Sequence, residues 1–276
     1  MMHPDSHAWV ESIYKNHDSP SSILTVWKHA CVALLDLDKQ PTLHSDPRLT
    51  VESLLAIGDQ LAIRVQDDMD KAALPFHNSL HVCDALISAS YVNAAWFKKS
   101  CAGDSDVPGW RLLDAAVLLF AVLVHDWGHD GGPVDREPPL EVLSVQRVMN
   151  ALSFDLGCSP TSVAHVQELI EPLILATDPR YVRELHQRWA ISKSPDLWLQ
   201  VLITECDVAA SLIPDLGPNL TRFLLLEKSN WNQVMPQSHA LNCDKVLESW
   251  MLFVQSAQVS SSCAEALGWR KLCLSI

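Results

Sequence analysis

Apolar residues recur at spacings of three and four positions through most of the chain, and alternation of apolar and polar residues at a period of two is scarce. Spacings of three and four place side chains on one face of an α-helix, whereas a period of two is typical of a β-strand. The pattern therefore predicts an all-α protein. Predicted helices cover residues 22–35, 51–68, 79–98, 110–124, 140–152, 162–177, 181–190, 196–212, 220–228 and 244–257.

The segments between these helices are short and rich in Gly, Pro, Ser and Asp, which favour turns. Ser162 and Asp196 stand just before apolar runs, where short polar side chains cap helix N-termini. No internal repeat, long linker or block of like charge divides the sequence. We therefore expect residues 1–276 to form a single compact bundle, with N-terminal helices at about 20–70 packed on a motif-bearing core at about 72–230.

The composition is typical of a globular protein: of 276 residues, 48% are hydrophobic and 19% are charged. The chain has 20 Lys and Arg against 33 Asp and Glu, which gives a net charge of -13. Because few cations are available to neutralise a phosphate backbone, we expect no nucleic-acid partner. A small phosphate ester stays compatible with this charge if a metal ion reverses the local sign, and the 12 His and many carboxylates supply ligands for one.

Cysteine usage and the apolar runs bear on the compartment. The 8 cysteines are scattered and include no C-x-x-C pair, which favours reduced thiols over a disulfide framework. The first residues carry charge and His where a secretory signal would be apolar. The longest apolar run, residues 112–124, contains Asp114 and is shorter than the roughly 20 residues that a bilayer requires, so it is predicted to be a buried core helix. We therefore expect a cytoplasmic protein without a membrane partner.

His and Asp residues stand at four places where apolar helices are predicted to begin, to end or to be buried. A single such residue is more often a helix cap or a surface group. Four places in one chain favour one common explanation, because a buried imidazole or carboxylate costs several kcal/mol unless a partner such as a divalent ion satisfies it. Mixed His and Asp ligands without thiolate suit Zn, Mn, Fe or Mg. The four places are His77 and His81 in FHNSLH, His125, Asp126 and His129 in VLVHDWGHDGG, Asp178 in LILATD, and Asp207 in LITECDVAAS.

In their order along the chain, these motifs resemble those of the HD-type metal hydrolases, and specifically of the class I 3′,5′-cyclic nucleotide phosphodiesterases. They are H-N-x-x-H at 77–81, H-D-x-x-H-x-G at 125–131, L-A-T-D at 175–178 and the helix-borne Asp207, so the resemblance runs from about residue 76 to about residue 227. The resemblance implies the all-α bundle of these enzymes and a small-molecule nucleotide substrate. It also implies hydrolysis of a 3′,5′-cyclic nucleotide, cAMP and/or cGMP, to the 5′-monophosphate.

The resemblance further implies two divalent ions, Zn, Mn, Fe or Mg, with Asp126 bridging the two. Two ions roughly 3.5 to 4 Å apart bridge a water, lower its pKa toward neutrality and clamp the phosphate during in-line attack. The nucleophile is therefore expected to be a metal-bridging hydroxide rather than a side chain. The first ion is expected to have four protein ligands, namely His81, His125, Asp126 and Asp207.

The resemblance matches His77 to the general acid and His129 to the histidine beside the second ion and its water shell. His77 stands four residues before a proposed ligand, so on a helix both imidazoles leave the same face. A protonated His one turn from a ligand is well placed to donate to the leaving 3′-alkoxide. Glu227 falls near the family's Glu that orients this acid and keeps it charged, and further supporting carboxylates are expected at Glu141 and Asp178.

The chain departs from the family where the usual Pro after the second His is replaced by Asp130, followed by two glycines. This loop is expected either to differ in shape or to add a carboxylate near the second ion. Two later histidines, His165 and His239, are predicted to be surface groups. For His186 a surface position and a substrate-facing position both stay open, because the family often carries a His or a substrate-facing side chain at this distance after L-A-T-D. The glutamine that grips the purine in this family has four candidates here, Gln233, Gln237, Gln255 and Gln258.

Two other functions stay open at this point. One is another HD-type phosphohydrolase that acts on a different nucleotide or on a cyclic dinucleotide. The other is a catalytically silent module that binds a nucleotide or a metal. The H-N-x-x-H segment favours the cyclic nucleotide phosphodiesterase, because it supplies a leaving-group acid that a plain His-Asp hydrolase or a sensor does not need. A homodimer is an open alternative to a monomer.

Overall fold

The computed structural model describes residues 22–37, 50–132, 136–212 and 217–234. Within these ranges all regular secondary structure is helical, which confirms the predicted all-α fold. The helices are α1 (Ile23–Leu37), α2 (Val51–Ala72), α3 (Ser79–Cys101), α4 (Leu112–Val124), α5 (Leu140–Asn150), α6 (Pro160–Ala176), α7 (Pro179–Ser192), α8 (Pro195–Val208) and α9 (Gly217–Val234). A π-helical turn, Ala151–Asp155, extends α5, and a 3₁₀ turn, Ala209–Leu212, extends α8.

The short apolar helix α4 lies at the centre of the fold. Every residue from 115 to 124 is buried, so this helix has no polar face along most of its length. A helix that is apolar all round is stable only when other helices surround it. Here α1, α2, α3, α6 and α8 all pack against α4. The residues that follow the end of α4 are therefore delivered to a fixed place in the interior.

The N-terminal helices α1 and α2 pack on α3 and α4. Trp27 of α1 is fully buried and donates from Nε1 to Asp59 Oδ1 of α2 at 2.9 Å. A Cβ at Gly58 would lie 2.0 Å from Trp27 Cζ2, so the indole occupies the space that a larger residue would need. The extent of a single domain over residues 1–276 stays a prediction, and the helix predicted at 244–257 lies outside the described residues.

Proline opens three of the helices, at Pro160, Pro179 and Pro195. Proline suits the first helical position because its missing N–H has no intrahelical acceptor there and its φ is already helical. The predicted caps at Ser162 and Asp196 are therefore wrong. Ser159 caps α6 by accepting from the backbone N–H of Ser162, and Ser194 occupies the N-cap position of α8.

The surface prediction is wrong for His165, which is 8% exposed, and His186, whose position was left open, is buried at 3% exposed. His186 joins α7 to α8, with Nε2 2.6 Å from Thr204 Oγ1. His239 and three of the four candidate purine-binding glutamines lie outside the described residues, and Gln233 lies in α9. Among the described helices, none is both long and apolar enough to cross a membrane.

Candidate metal centre

Four side chains from three helices meet at the C-terminal end of α4. His81 lies in the first turn of α3, His125 and Asp126 follow α4 directly, and Asp207 lies in the last turn of α8. One ligand atom from each residue lies within 4.8 Å of those of the other three. The structure thus brings together the four residues that were expected to hold the first ion.

The start of α3 sets the position of two of the histidines. Asn78 is the N-cap residue, and its side chain accepts from the backbone N–H groups of Leu80 and His81. The segment is therefore helical only from Ser79 onward, and His77 precedes the helix instead of sharing a face with His81. The two imidazoles are still neighbours, with ring centroids 6.1 Å apart.

The two carboxylate oxygens of Asp126 face different partners. Oδ2 lies 3.0 Å from His81 Nε2 and 3.3 Å from His125 Nε2. Oδ1 lies 3.3 Å from His129 Nδ1. Asp207 faces the same side as Oδ2, with its Oδ1 3.1 Å from His81 Nε2. Asp126 is therefore shared by two groups of ligand atoms, the second of which is formed by His77, Asp126 and His129.

The donor set fits a divalent cation. Nδ1 of His125 lies 2.9 Å from the Val122 carbonyl oxygen, which can only accept, so Nδ1 carries the proton and Nε2 presents its lone pair. Nε2 of His81 and of His125 and Oδ2 of Asp126 are buried and have no hydrogen-bond partner among the described residues. Buried acceptor atoms that converge without hydrogen bonds need a positive partner, and imidazole with carboxylate is a common ligand set for Zn and related ions.

When no metal ion is bound, protons are held between the histidines and the carboxylates of the site. Burial by itself lowers the pKa of His81, but its contacts with Asp126 and Asp207 raise the pKa to about 9. Burial raises the pKa of Asp207, but His125 and His81 outweigh it and lower the value to about 2. Metal binding must displace the protons that these contacts hold, so metal affinity is expected to rise with pH.

The second group centres on a histidine held by a remote carboxylate. His77 Nδ1 lies 2.5 Å from Glu227 Oε1, and Glu227 Oε2 accepts from the backbone N–H groups of Phe76 and His77 at 3.0 and 2.9 Å. Burial raises the pKa of Glu227, but the charge of His77, its hydrogen bond and Lys228 lower it to about 2. Because an ionised carboxylate only accepts, Nδ1 of His77 donates to it, and Nε2 is left facing the site.

His129 lies next to this pair, with its ring centroid 5.1 Å from that of His77. Its side chain is 6% exposed, and neither ring nitrogen has a hydrogen-bond partner among the described residues. Burial lowers the pKa of His129 to about 4, although Asp126 opposes the shift. His129 is therefore a neutral imidazole near pH 7.

The remaining predicted carboxylates lie outside both groups of converging ligand atoms. Asp178 caps α7, accepting from the Arg180 backbone N–H, and pairs with the Arg180 guanidinium at 2.6 Å. Glu141 is buried in the first turn of α5. Burial, and then the charges of Asp178 and Asp126, raise the pKa of Glu141 to about 7. Supporting roles for Glu141 and Asp178 stay predictions.

The loop that departs from the expected motif forms its own contacts. Asp130 accepts from the Gly132 N–H at 2.9 Å and from Arg136 Nη1 at 2.6 Å, so it stabilises the loop and adds no ligand to the second group. Lys228, which the sequence did not single out, is 3% exposed and donates to the carbonyl oxygens of Gly131 and Gly132. Its position beside Glu227 in α9 was the only available signal.

The described helices have the fold of a phosphodiesterase catalytic domain. A solved structure of the Leishmania phosphodiesterase LmjPDEB1 in complex with IBMX matches with a TM-score of 0.53 and 16% sequence identity, covering 100% of this chain and 99% of that chain. No protein-family model matches the chain, and no curated protein matches it. At this identity the structural match establishes the fold alone.

Proposed function

We propose that the protein is a metal-dependent phosphodiesterase that hydrolyses a 3′,5′-cyclic nucleotide, cAMP and/or cGMP, to the 5′-monophosphate. One observation carries the proposal: a set of converging imidazole and carboxylate atoms around Asp126 lies beside another histidine, His77, that is held by a buried carboxylate. A cation site alone suits many functions. A cation site beside a carboxylate-bound histidine suits phosphoester cleavage with an expelled alkoxide.

The side chains divide the work between ion binding and proton transfer. His81, His125, Asp126 and Asp207 would hold the first divalent ion, and Asp126 would also contact the second. Bound divalent ions supply an activated water and neutralise charge on the phosphate. His77 donates a proton from Nε2 to the leaving 3′-oxygen, because its Nδ1 is committed to Glu227.

His129 is suited to a different task from His77. Its low pKa leaves it neutral, so a ring nitrogen can accept a hydrogen bond from a water in the site. His77, in contrast, contacts the Glu227 carboxylate through Nδ1, which fixes the orientation of its ring. Two adjacent histidines with different partners can therefore provide a proton donor and a hydrogen-bond acceptor within one site.

The acidic composition is compatible with a small-molecule nucleotide substrate if bound metal ions reverse the local charge, and it gives no support to a nucleic-acid or membrane partner. We carry forward the cytoplasmic location as part of the proposal. A monomer and a homodimer are both compatible with it.

The test is a screen of cyclic mononucleotides and cyclic dinucleotides with Mn²⁺ or Mg²⁺ added, together with metal analysis of the purified protein. We expect about one to two divalent ions per chain and release of a 5′-monophosphate from cAMP or cGMP. Full activity of a metal-free protein would overturn the mechanism. Hydrolysis of cyclic dinucleotides alone would support the other HD-type phosphohydrolase, and metal binding without turnover of any compound would support a silent module.

A further inference from the structure

Two charged residues follow each other in α9 and are both buried: Glu227 is 2% exposed and Lys228 is 3% exposed. Burying a charge costs several kcal/mol unless hydrogen bonds and a counter-charge replace its water. Consecutive residues on a helix do not face the same way, so the two side chains serve different neighbours. Glu227 binds Phe76 and His77, as described above. These contacts do not explain why Lys228 is buried as well.

Lys228 binds the loop that follows His129. Its Nζ donates to the carbonyl oxygens of Gly131 and Gly132, each at 2.9 Å, and lies 3.7 Å from Glu227 Oε1. An ammonium has three donors, and here two are used on consecutive backbone carbonyls while the third side of the group faces the carboxylate. The ammonium therefore connects the loop after His129 to the pair formed by His77 and Glu227.

The same loop also contacts Glu227 directly, through the backbone of Gly131. Gly131 has a φ of +75°, and a Cβ there would lie 3.1 Å from Glu227 Cγ, so the loop backbone rests directly against the Glu227 side chain. His129, two residues earlier, has no hydrogen bond from either ring nitrogen to a described residue. Its ring position is consequently set by the loop backbone, by packing and by the 3.3 Å contact of Nδ1 with Asp126 Oδ1, and Lys228 holds that backbone.

We propose that Lys228 is a positioning residue of the candidate site, which clamps the Gly131–Gly132 backbone against Glu227 and so fixes His129 relative to His77. The inference rests on the proposed phosphodiesterase activity for its kinetic consequence. Its structural consequence, an ordered loop after His129, is independent of that activity.

The test compares Lys228→Met, which keeps the length and removes the charge, with the control Lys71→Met. Lys71 is also near a carboxylate, at 4.0 Å from Asp68 Oδ1, but its side chain is 75% exposed. Amide hydrogen exchange at Gly131 and Gly132 is measured by NMR in the metal-free proteins. We expect exchange at least about tenfold faster in Lys228→Met than in wild type, because the loop opens locally once the ammonium is gone, and no change in Lys71→Met.

The kinetic readout uses two substrates, cAMP or cGMP and bis(4-nitrophenyl) phosphate, whose 4-nitrophenolate leaves without an acid. For Lys228→Met we expect kcat on the cyclic nucleotide to fall about 10- to 100-fold with unchanged metal content, since small misplacements of reacting groups have effects of this size. The fall on the aryl ester should be several-fold smaller. In a His129→Ala background the same substitution should cost at most about twofold, because the group that Lys228 positions is already gone.

Unchanged Gly131 and Gly132 exchange in Lys228→Met would overturn the proposal, as would an equal loss on both substrates accompanied by loss of metal, which marks a merely structural effect. If Lys228→Met does not fold, Lys228→Gln takes its place. Gln lacks the charge and reaches at most one of the two carbonyls, so wild-type exchange and rates in Lys228→Gln would also overturn the proposal. If wild type hydrolyses neither substrate, the proposed function fails, and the exchange measurement still decides the role of Lys228.

Discussion

Asp126 separates the candidate site into two halves that are built in different ways. On the Oδ2 side, His81, His125 and Asp207 come from the first turn of α3, the end of α4 and the last turn of α8. We call this the helix-built half. On the Oδ1 side, His77 precedes α3 and His129 lies in the loop after α4, and we call this the loop-built half. Packing of the helices positions the first half, whereas individual charged side chains of α9 position the second.

The two halves also differ in how their polar atoms are satisfied. In the helix-built half, His81 Nε2 and His125 Nε2 converge with carboxylate oxygens but make no hydrogen bond to a described residue. In the loop-built half, the ring nitrogens of His129 also lack a hydrogen bond to a described residue, but Nδ1 of His77 is bound to Glu227 at 2.5 Å. Converging ligand atoms without hydrogen bonds suit cation binding, and a bound, oriented imidazole suits proton transfer. The comparison therefore predicts that substitutions in the two halves will separate metal content from turnover.

The largest effect is expected in the helix-built half, from Asp207→Ala. Removing this carboxylate takes away one of the four proposed ligands and leaves His81 and His125 facing a single Asp. We expect loss of bound metal, and a fall in turnover larger than the roughly 10²- to 10³-fold that loss of a single electrostatic donor causes. Metal analysis and steady-state rates on the same preparation test both parts.

The matched control is Asp196→Ala, because Asp196 lies on the same helix α8 and is exposed. It should keep both metal and rate. Retention of metal by Asp207→Ala would break the comparison, since it would mean that the convergence of ligand atoms around Asp126 does not hold the ion.

A smaller effect of a different kind is expected in the loop-built half, from His77→Ala. This change removes the proposed proton donor and leaves the four proposed ligands of the first ion in place. We expect turnover of the cyclic nucleotide to fall about 10²- to 10⁴-fold, the usual contribution of general acid catalysis, with metal content intact. Kinetics and metal analysis again provide the measurement.

The exposed His29 supplies the control variant, His29→Ala, which should behave as wild type. If His77→Ala turns over at the wild-type rate, His77 is not the acid. If instead it loses metal together with activity, the loop-built half is part of the metal site and the division into two halves fails.

The sequence predicted the helix-built half better than the loop-built half for a physical reason. A polar residue within an apolar pattern can be recognised from the local sequence alone. This is the case for His125 and Asp126, which end an apolar run, and for Asp207, which lies inside an apolar helix. The start of α3 was predicted less well. Asn78 is the N-cap residue, so His77 lies outside the helix. Asn is a favoured capping residue, so this signal was present in the sequence.

The contacts of α9 show what a pattern cannot supply. Glu227 was expected near the acid through the resemblance, but Lys228 lies 97 residues after the Gly131 carbonyl that it binds. Periodicity describes neighbours along one helix and says nothing about which distant carbonyl a lysine reaches. The same limit applies to His186, whose burial depends on a contact with Thr204 of the next helix.

The smallest expected effect concerns stability, and it follows from Glu227. The pKa of Glu227 is lowered from its usual 4.5 to about 2, so between these values the folded state binds fewer protons than the unfolded state. Stability from this group is therefore fully present above about pH 4.5 and is lost as the pH falls toward 2. The loss amounts to roughly 3 kcal/mol in the free energy of unfolding. Glu227→Gln should lack this pH-dependent contribution.

Urea unfolding of metal-free wild type and Glu227→Gln between pH 7 and pH 3 gives the comparison, with the exposed Glu184→Gln as the control that should follow wild type. Because Asp126 and Asp207 also have lowered pKa values, both proteins will lose stability in acid, and the difference between their curves isolates Glu227. That difference should shrink as the pH falls, since a protonated Glu227 and the glutamine that replaces it are both neutral. A difference that stays constant with pH would mean that Glu227 stabilises the fold by packing and not as a charged partner of His77, and the loop-built half would then lack the electrostatic anchor that distinguishes it from the helix-built half.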